Sequence, residues 1–263
     1  MTPTYKMESR QDAHHGAASM FQQLYHAAPW IRCALQSTET EPTLWHLDTT
    51  TVGVSIDRLG TLLEGLSLDA LVPMIGAASR ARQLSFIAGR VASEMALRRL
   101  GLIDEIVGRD PTGIPLWPTG WCGSIAHSHR IAVATISEIG AIRSLGIDVE
   151  DVVDRVALQD VSAICLLESE RQMLTHSADP EVLATVLFSA KEAYYKAVHP
   201  LARRFVEFTE VTIEDLDWKL QTFRVRPRRS AVDLIEVDGR FVVRDAAAVT
   251  LVVTRDREQG SPG

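Results

Sequence analysis

The chain has 263 residues, 46% of them hydrophobic and 23% charged, with a formal net charge of −7 at pH 7. A chain of that length buries a real core in one large domain or two modest ones, and its acidic balance excludes the basic footprint of a nucleic-acid binder. Its apolar runs are far too short to span a membrane, and residues 1–23 lack the basic start, apolar stretch and cleavage site of a secretory signal. Cys33, Cys122 and Cys165 are widely spaced and odd in number. They fit a reducing cytoplasm better than a disulfide framework, and no metal-ligand spacing links them.

Residues 1–40 have weak periodicity and read as a lead-in with one helix near Ala17–Ala27. Leu44–Asp48 and Val52–Asp57 read as short strands. Leu84, Ile87, Val91 and Met95 recur at helical spacing, which predicts a long helix over 79–100 with Gly101 as its stop. Gly108–Gly123 is rich in Pro and Gly and reads as loop. Ile131–Ser137 and Ser144–Val149 are strand candidates, the first apolar enough to be central. Asp179-Pro180-Glu181 predicts a helix start with a capping Asp, running to about Val198 and stopped by Pro200. Phe208–Ile213, Trp218–Val225, Arg240–Arg244 and Val249–Thr254 read as an antiparallel meander. Within it Arg224, Arg226, Arg228 and Arg229 read as a solvated basic loop. The polar tail, 256–263, is expected to be disordered.

The pattern implies an α+β fold made of two similar halves. Each packs a long helix on a small, mostly antiparallel sheet, with a ligand cleft between them. The expected division is 1–145 and 146–255.

Two segments carry the chemistry. In Gly146-Ile147-Asp148-Val149-Glu150, strand alternation points Asp148 and Glu150 one way and Val149 into the core. In Phe188-Ser189-Ala190-Lys191-Glu192-Ala193-Tyr194-Tyr195-Lys196-Ala197, Glu192 and Lys196 are four apart and share a helix face. Three carboxylates suit a hard cation such as Mg²⁺, which also takes substrate phosphate oxygens. Taken singly, Glu192 and Lys196 read equally well as a surface ion pair, and Asp148 and Glu150 as a strand end entering an acidic loop.

With these segments the chain resembles the Sfp-type 4′-phosphopantetheinyl transferases, in particular the bacterial subgroup that activates siderophore synthetases such as enterobactin synthase. The likeness spans roughly 79–212. It rests on Arg82 and Arg90 in Arg-Gln-Leu-Ser-Phe-Ile-Ala-Gly-Arg, on Pro115-Leu116-Trp117-Pro118, on Gly123-Ser124-Ile125-Ala126-His127, on the two acidic segments, and on the stretch from Pro200 to Phe208. The resemblance implies a monomeric, cytoplasmic enzyme with a pseudo-two-fold fold. It would move the phosphopantetheine arm of coenzyme A to a serine of an apo acyl or peptidyl carrier protein and release adenosine 3′,5′-bisphosphate. It implies Mg²⁺ on Asp148, Glu150 and Glu192, and coenzyme A contacts from Arg82, Arg90, Ser124, His127, Asp148 and Lys196. Glu192 and Lys196 would be catalytic, with Glu192 as the base for the carrier serine.

Residue chemistry alone leaves rivals open. Arg82 and Arg90 lie two helical turns apart, about 12 Å, and alone would read as solvated charges. His127 alone would read as a structural histidine, with His129 as its rival. Trp117 reads as packing and as a wall of the nucleotide pocket. The family's usual hydroxyl before the histidine is replaced by Ala126, and its usual basic residue before Pro115 by Gly113 and Ile114, for which Arg109 is a candidate substitute. Arg203 and Arg204 are candidate carrier-docking residues. Two other readings use the same acids: a Mg²⁺-dependent phosphohydrolase of a pyrophosphate, and a catalytically degenerate carrier-binding relative.

Overall fold

The computed structural model describes residues 39–40, 49–62, 64, 78–103, 105, 107–110, 113–140 and 142–255. The strand expected at Leu44–Asp48, the helix near 17–27 and the tail at 256–263 lie outside them.

The first half is a four-stranded antiparallel sheet. Its strands are β1 (Glu39–Thr40), β2 (Thr50–Ser55), β5 (Trp121–His127) and β6 (Ile131–Glu138), in the order β1-β2-β6-β5. The helices here are α1 (Ile56–Leu62) and α2 (Arg80–Arg99), and α2 packs on β2 and β6. Ser79 caps α2 by accepting from the Arg82 N–H at 3.4 Å. Gly101 ends it in the left-handed region at φ 79°, where a residue without Cβ carries no steric penalty. Of the expected stripe Ile87 and Val91 are buried while Leu84 and Met95 are half-buried, and the helix is enclosed all round over 87–94.

The strand expected to run to Asp57 stops at Ser55, where α1 begins. The expected loop at 108–123 contains a short ribbon, β3 (Gly108–Arg109) against β4 (Pro115–Leu116), and the start of β5. The Asp110 carboxylate makes the turn by accepting from the Ile114 N–H at 2.9 Å.

The second half is a five-stranded antiparallel sheet of order β7-β11-β10-β9-β8. Its strands are β7 (Ile142–Asp151), β8 (Val211–Asp217), β9 (Thr222–Pro227), β10 (Val237–Arg244) and β11 (Ala247–Arg255). The last four form the expected meander, and β7 closes its β11 edge. The expected boundary at 145 falls inside β7. Phe208–Glu210 is a 3-10 turn, not strand. Residues 218–221 form a turn in which Asp217 accepts from the Lys219 and Leu220 N–H groups, each at 2.8 Å.

Helices α3 (Arg155–Cys165) and α4 (Glu168–Thr175) are additions to the expected pattern. Asp154 caps α3 by accepting from Val156 and Ala157. Helix α5 (Pro180–Ala202) begins at Pro180 as predicted, but Asp179 makes no capping bond through its side chain. It also continues past Pro200. That residue costs one bond of the last turn, while Arg203, at φ 54°, still donates to His199 O at 2.9 Å.

Two features fix α5 on the sheet. Gly146 of β7 lies so close to the helix that a Cβ would stand 2.0 Å from Ala193 O. In addition, the fully buried Lys191 ammonium donates to Cys165 O, Phe208 O and Glu170 Oε2 at 2.9, 3.0 and 2.7 Å. Glu170 in turn accepts from the Leu167 and Ile213 N–H groups. Burial holds the Lys191 pKa below the usual lysine range, against the opposing pull of Glu170.

The odd positions of β7 face the other way. Leu145, Ile147 and Val149 join Val242, Leu251 and Val253 against Ala126 and Val133 of the first sheet. Gly146→Ala will therefore lower the unfolding free energy by about 1–3 kcal/mol or more, measured by urea denaturation. An unchanged midpoint would mean α5 does not sit as closely as described.

Candidate active site

Strand alternation puts Gly146, Asp148 and Glu150 on the α5 side of β7, and the close approach at Gly146 brings the helix over them. Asp148 is 3% exposed. Its Oδ1 accepts from Lys196 Nζ at 2.6 Å and its Oδ2 from Ser189 Oγ at 2.8 Å. Lys196 therefore pairs across to β7 and makes no ion pair along the helix with Glu192.

Glu150 and Glu192 are half-buried beside this pair. Burial first, then the negative charge of Asp148, pushes the Glu150 pKa from 4.5 to about 7. Burial and Asp148 also raise Glu192, against the pull of Lys196. Each carboxylate thus feels the field of Asp148, and together they lack a full counter-charge. Their all-oxygen donor set fits a hard divalent cation. Among the described residues, no group of three His, Cys, Asp or Glu side chains is arranged to hold an ion as it stands.

On the other side of Lys196 opens a cavity of about 1010 Å³. Its lining includes Arg82, Arg90, Arg109, His127, Arg143 and Lys196, and among the described residues no Asp or Glu. Arg90 is 7% exposed and its Nη1 has no hydrogen-bond partner, while Phe86 lies 5.0 Å from its guanidinium carbon. Burial and the charge of Arg109 lower the Arg90 pKa to about 10. A buried, incompletely paired guanidinium is costly unless an anion completes it. His127 lies at the rim, where partial burial and the charges of Lys196 and Arg82 lower its pKa. Ser124 lines the wall next to Trp117, whose ring packs so close to Gly123 that a Cβ there would lie 2.5 Å from it.

The structure thus gathers Arg82, Arg90, Ser124, His127 and Lys196 around one cavity. Asp148, Glu150 and Glu192 stand behind Lys196, outside its lining. His129 is not part of it; its exposed ring lies 3.6 Å from the Asp151 carboxylate. Arg204 is already held by Asp233 and Glu210, so of the two candidate docking arginines only the exposed Arg203 presents an unengaged head. Arg143, Tyr195 and His199 also line the cavity, and no spacing rule singled them out. Cys122 and Cys165 are free thiols raised by burial, Cys122 to about 11, and are poor nucleophiles.

A cation-lined cleft backed by an oxygen-donor acid set has the charge layout that suits phosphate esters. Two family models match in sequence: the 4′-phosphopantetheinyl transferase N-terminal domain over residues 71–137, and the 4′-phosphopantetheinyl transferase superfamily over 144–251. The chain is 31% identical over 185 residues to 4′-phosphopantetheinyl transferase Npt of Nocardia iowensis, covering 65% of this chain and 82% of the relative. It is 36% identical over 174 residues to transferase Svp of Streptomyces mobaraensis, covering 64% and 69%. Enterobactin synthase component D of Salmonella typhimurium is 38% identical over 121 residues, covering 46% of this chain and 50% of the relative, so there the match spans half of that protein's length. The chain belongs to the 4′-phosphopantetheinyl transferase superfamily and is an enzyme of that class. No helix among the described residues is long and apolar enough to cross a membrane.

The raised Glu150 pKa has a measurable sign. The folded, metal-free protein keeps a proton between pH 4.5 and about 7 that the unfolded chain releases. The stability tied to this group is therefore full below 4.5 and lost as pH rises through 7. Thermal melts in EDTA should show wild type losing more stability than Glu150→Gln across that window; parallel curves would contradict the shift.

Proposed function

We propose that this enzyme transfers the 4′-phosphopantetheine arm of coenzyme A to a serine hydroxyl of an apo acyl or peptidyl carrier protein, in a Mg²⁺-dependent reaction that releases adenosine 3′,5′-bisphosphate. The observation that carries this reading is the charge layout. In a chain of net charge −7, a cleft lined by Arg82, Arg90, Arg109, His127, Arg143 and Lys196 has no acid in its wall among the described residues, while Asp148 accepts from Lys196 behind it.

In this reading Arg82, Arg90, Ser124 and His127 of the first half hold the nucleotide phosphates. Arg109 supplies the positive charge missing before Pro115; its field already acts on Arg90. Trp117 walls the nucleotide. Asp148, Glu150 and Glu192 of the second half hold Mg²⁺, which when bound would neutralise pyrophosphate oxygens as a Lewis acid. Phosphoryl transfer of this kind needs alignment and charge stabilisation more than covalent help. Lys196 bridges the two sets and holds the transferring phosphate. Glu192 takes the proton of the attacking serine. Its raised pKa suits a base poised nearer neutrality than an ordinary carboxylate. Arg203, at the end of the helix that lines the cleft, is the cation offered to an acidic carrier.

The same reading makes the protein a cytoplasmic monomer with its nucleotide grip in 1–145 and its metal set in 146–255. It would serve a siderophore or other nonribosomal peptide synthetase, as its likeness to enterobactin synthase component D suggests.

Mass spectrometry of apo carriers incubated with coenzyme A and Mg²⁺ tests the proposal. The phosphopantetheine mass should appear on the carrier serine and be abolished by EDTA. Release of the bisphosphate without any carrier would make the enzyme a hydrolase instead, and no product with several carriers would make it a degenerate binder. Glu192→Gln should lower kcat by at least about 100-fold. Near-normal turnover with unchanged Mg²⁺ affinity would remove Glu192 from its role.

A further inference from the structure

Asp148 is held from behind by a relay of two hydroxyls, one on the carboxylate and one on the other hydroxyl, that the mechanism above does not use. Ser189 of α5 and Thr250 of β11 are both 0% exposed. Thr250 is the cross-strand partner of Asp148 on β7, so both side chains project to the helix side, where Ser189 meets them. Ser189 Oγ lies 2.8 Å from Asp148 Oδ2 and 2.8 Å from Thr250 Oγ1, and Thr250 Oγ1 lies 2.8 Å from Ser189 O.

Each hydroxyl has a single proton. An ionised carboxylate only accepts, so Ser189 spends its proton on Asp148. Its oxygen is then an acceptor for Thr250, whose proton is shared between Ser189 Oγ and Ser189 O. The direction of the chain is thus fixed: Thr250 to Ser189 to Asp148. The bond to the carboxylate is charge-assisted, the stronger kind. The two elements that carry the pair bury their apolar neighbours in sequence, Leu187, Ala190, Ala193, Ala248 and Val252, in one cluster. A polar relay in such a place is costly unless every group is satisfied, and here each one is.

We propose that Ser189 and Thr250 are positioning residues for Asp148. Ser189 engages Oδ2, Thr250 orients Ser189 from behind, and together they fix the carboxylate plane so that Oδ1 faces Lys196. The inference rests on the reading of Asp148 as a cation ligand. Removing such a partner behind a ligand weakens metal binding or activity about 10–100-fold.

The test uses full-length protein with Mn²⁺ as the probe, its dissociation constant read by electron paramagnetic resonance with coenzyme A present. Carrier kinetics and melting temperature are measured alongside. Ser189→Ala and Thr250→Val should each weaken Mn²⁺ about 10-fold or more and lower kcat, leaving the carrier KM unchanged. Thr250→Ser, which keeps the hydroxyl, should stay within about 2-fold of wild type. If Ser189→Ala fails to fold, the Thr250→Val and Thr250→Ser pair decides alone. Wild-type Mn²⁺ affinity in Thr250→Val, or an equal loss in Thr250→Ser, overturns the positioning role. A wild-type protein that neither binds Mn²⁺ nor modifies a carrier overturns the underlying reading of Asp148, and this inference with it.

Discussion

The closeness of α5 to β7 at Gly146 is the constraint on which the site depends. A helix normally rides on a sheet at a separation set by intervening side chains. Here one strand residue contributes none, and the backbone of Ala193 and Ala197 takes its place. That contact brings Ser189, Glu192 and Lys196 within reach of Asp148. The buried Lys191–Glu170 pair then sets how the helix is turned, because Lys191 must reach Cys165 O and Phe208 O as well as the carboxylate. Neighbouring residues of one helix thus divide the labour: Lys191 faces the scaffold and Glu192 the acid set.

Charge follows the same division. The acid set is buried and under-neutralised; burial first and then the charge of Asp148 push Glu150 up to about 7. The cleft carries the opposite excess, and burial together with the charge of Arg109 drives Arg90 down to about 10. Lys196 lies at the seam and satisfies Asp148 in the absence of other ions. Each excess is unfavourable alone, and a phosphate on one side with a divalent cation on the other relieves both. The low-dielectric surroundings that make the unpaired groups costly also strengthen the pairs that a ligand completes.

The acid set was legible because it follows short-range rules. Alternation in β7 assigned Asp148 and Glu150 to one face, and four-residue spacing in α5 joined Glu192 to Lys196. The partner of Lys196 was not legible, since a spacing rule cannot see Asp148 on another element. Lys191 and Glu170 are 21 positions apart and meet only because α4 folds back under α5. Helices α3 and α4 are short, at 11 and 8 residues, and bury few side chains, so they offer few periodic positions to read beside the long, largely buried α2 and α5. Gly and Pro in 108–123 mark turns truthfully but conceal the ribbon those turns connect. Arg143, Tyr195 and His199 become cleft residues only when β7 and α5 lie side by side.

Strand β7 has no idle face. One set of its side chains carries the acids and the other seals the two sheets together. Such a strand tolerates substitution at single positions far better than a change in length. One residue inserted between Gly146 and Ile147 would rotate every later side chain by half a turn, driving Asp148 and Glu150 into the hydrophobic seam and Ile147 and Val149 under the helix. Natural variation in chain length among such proteins should therefore gather in the turns on either side, with this ten-residue strand keeping its count.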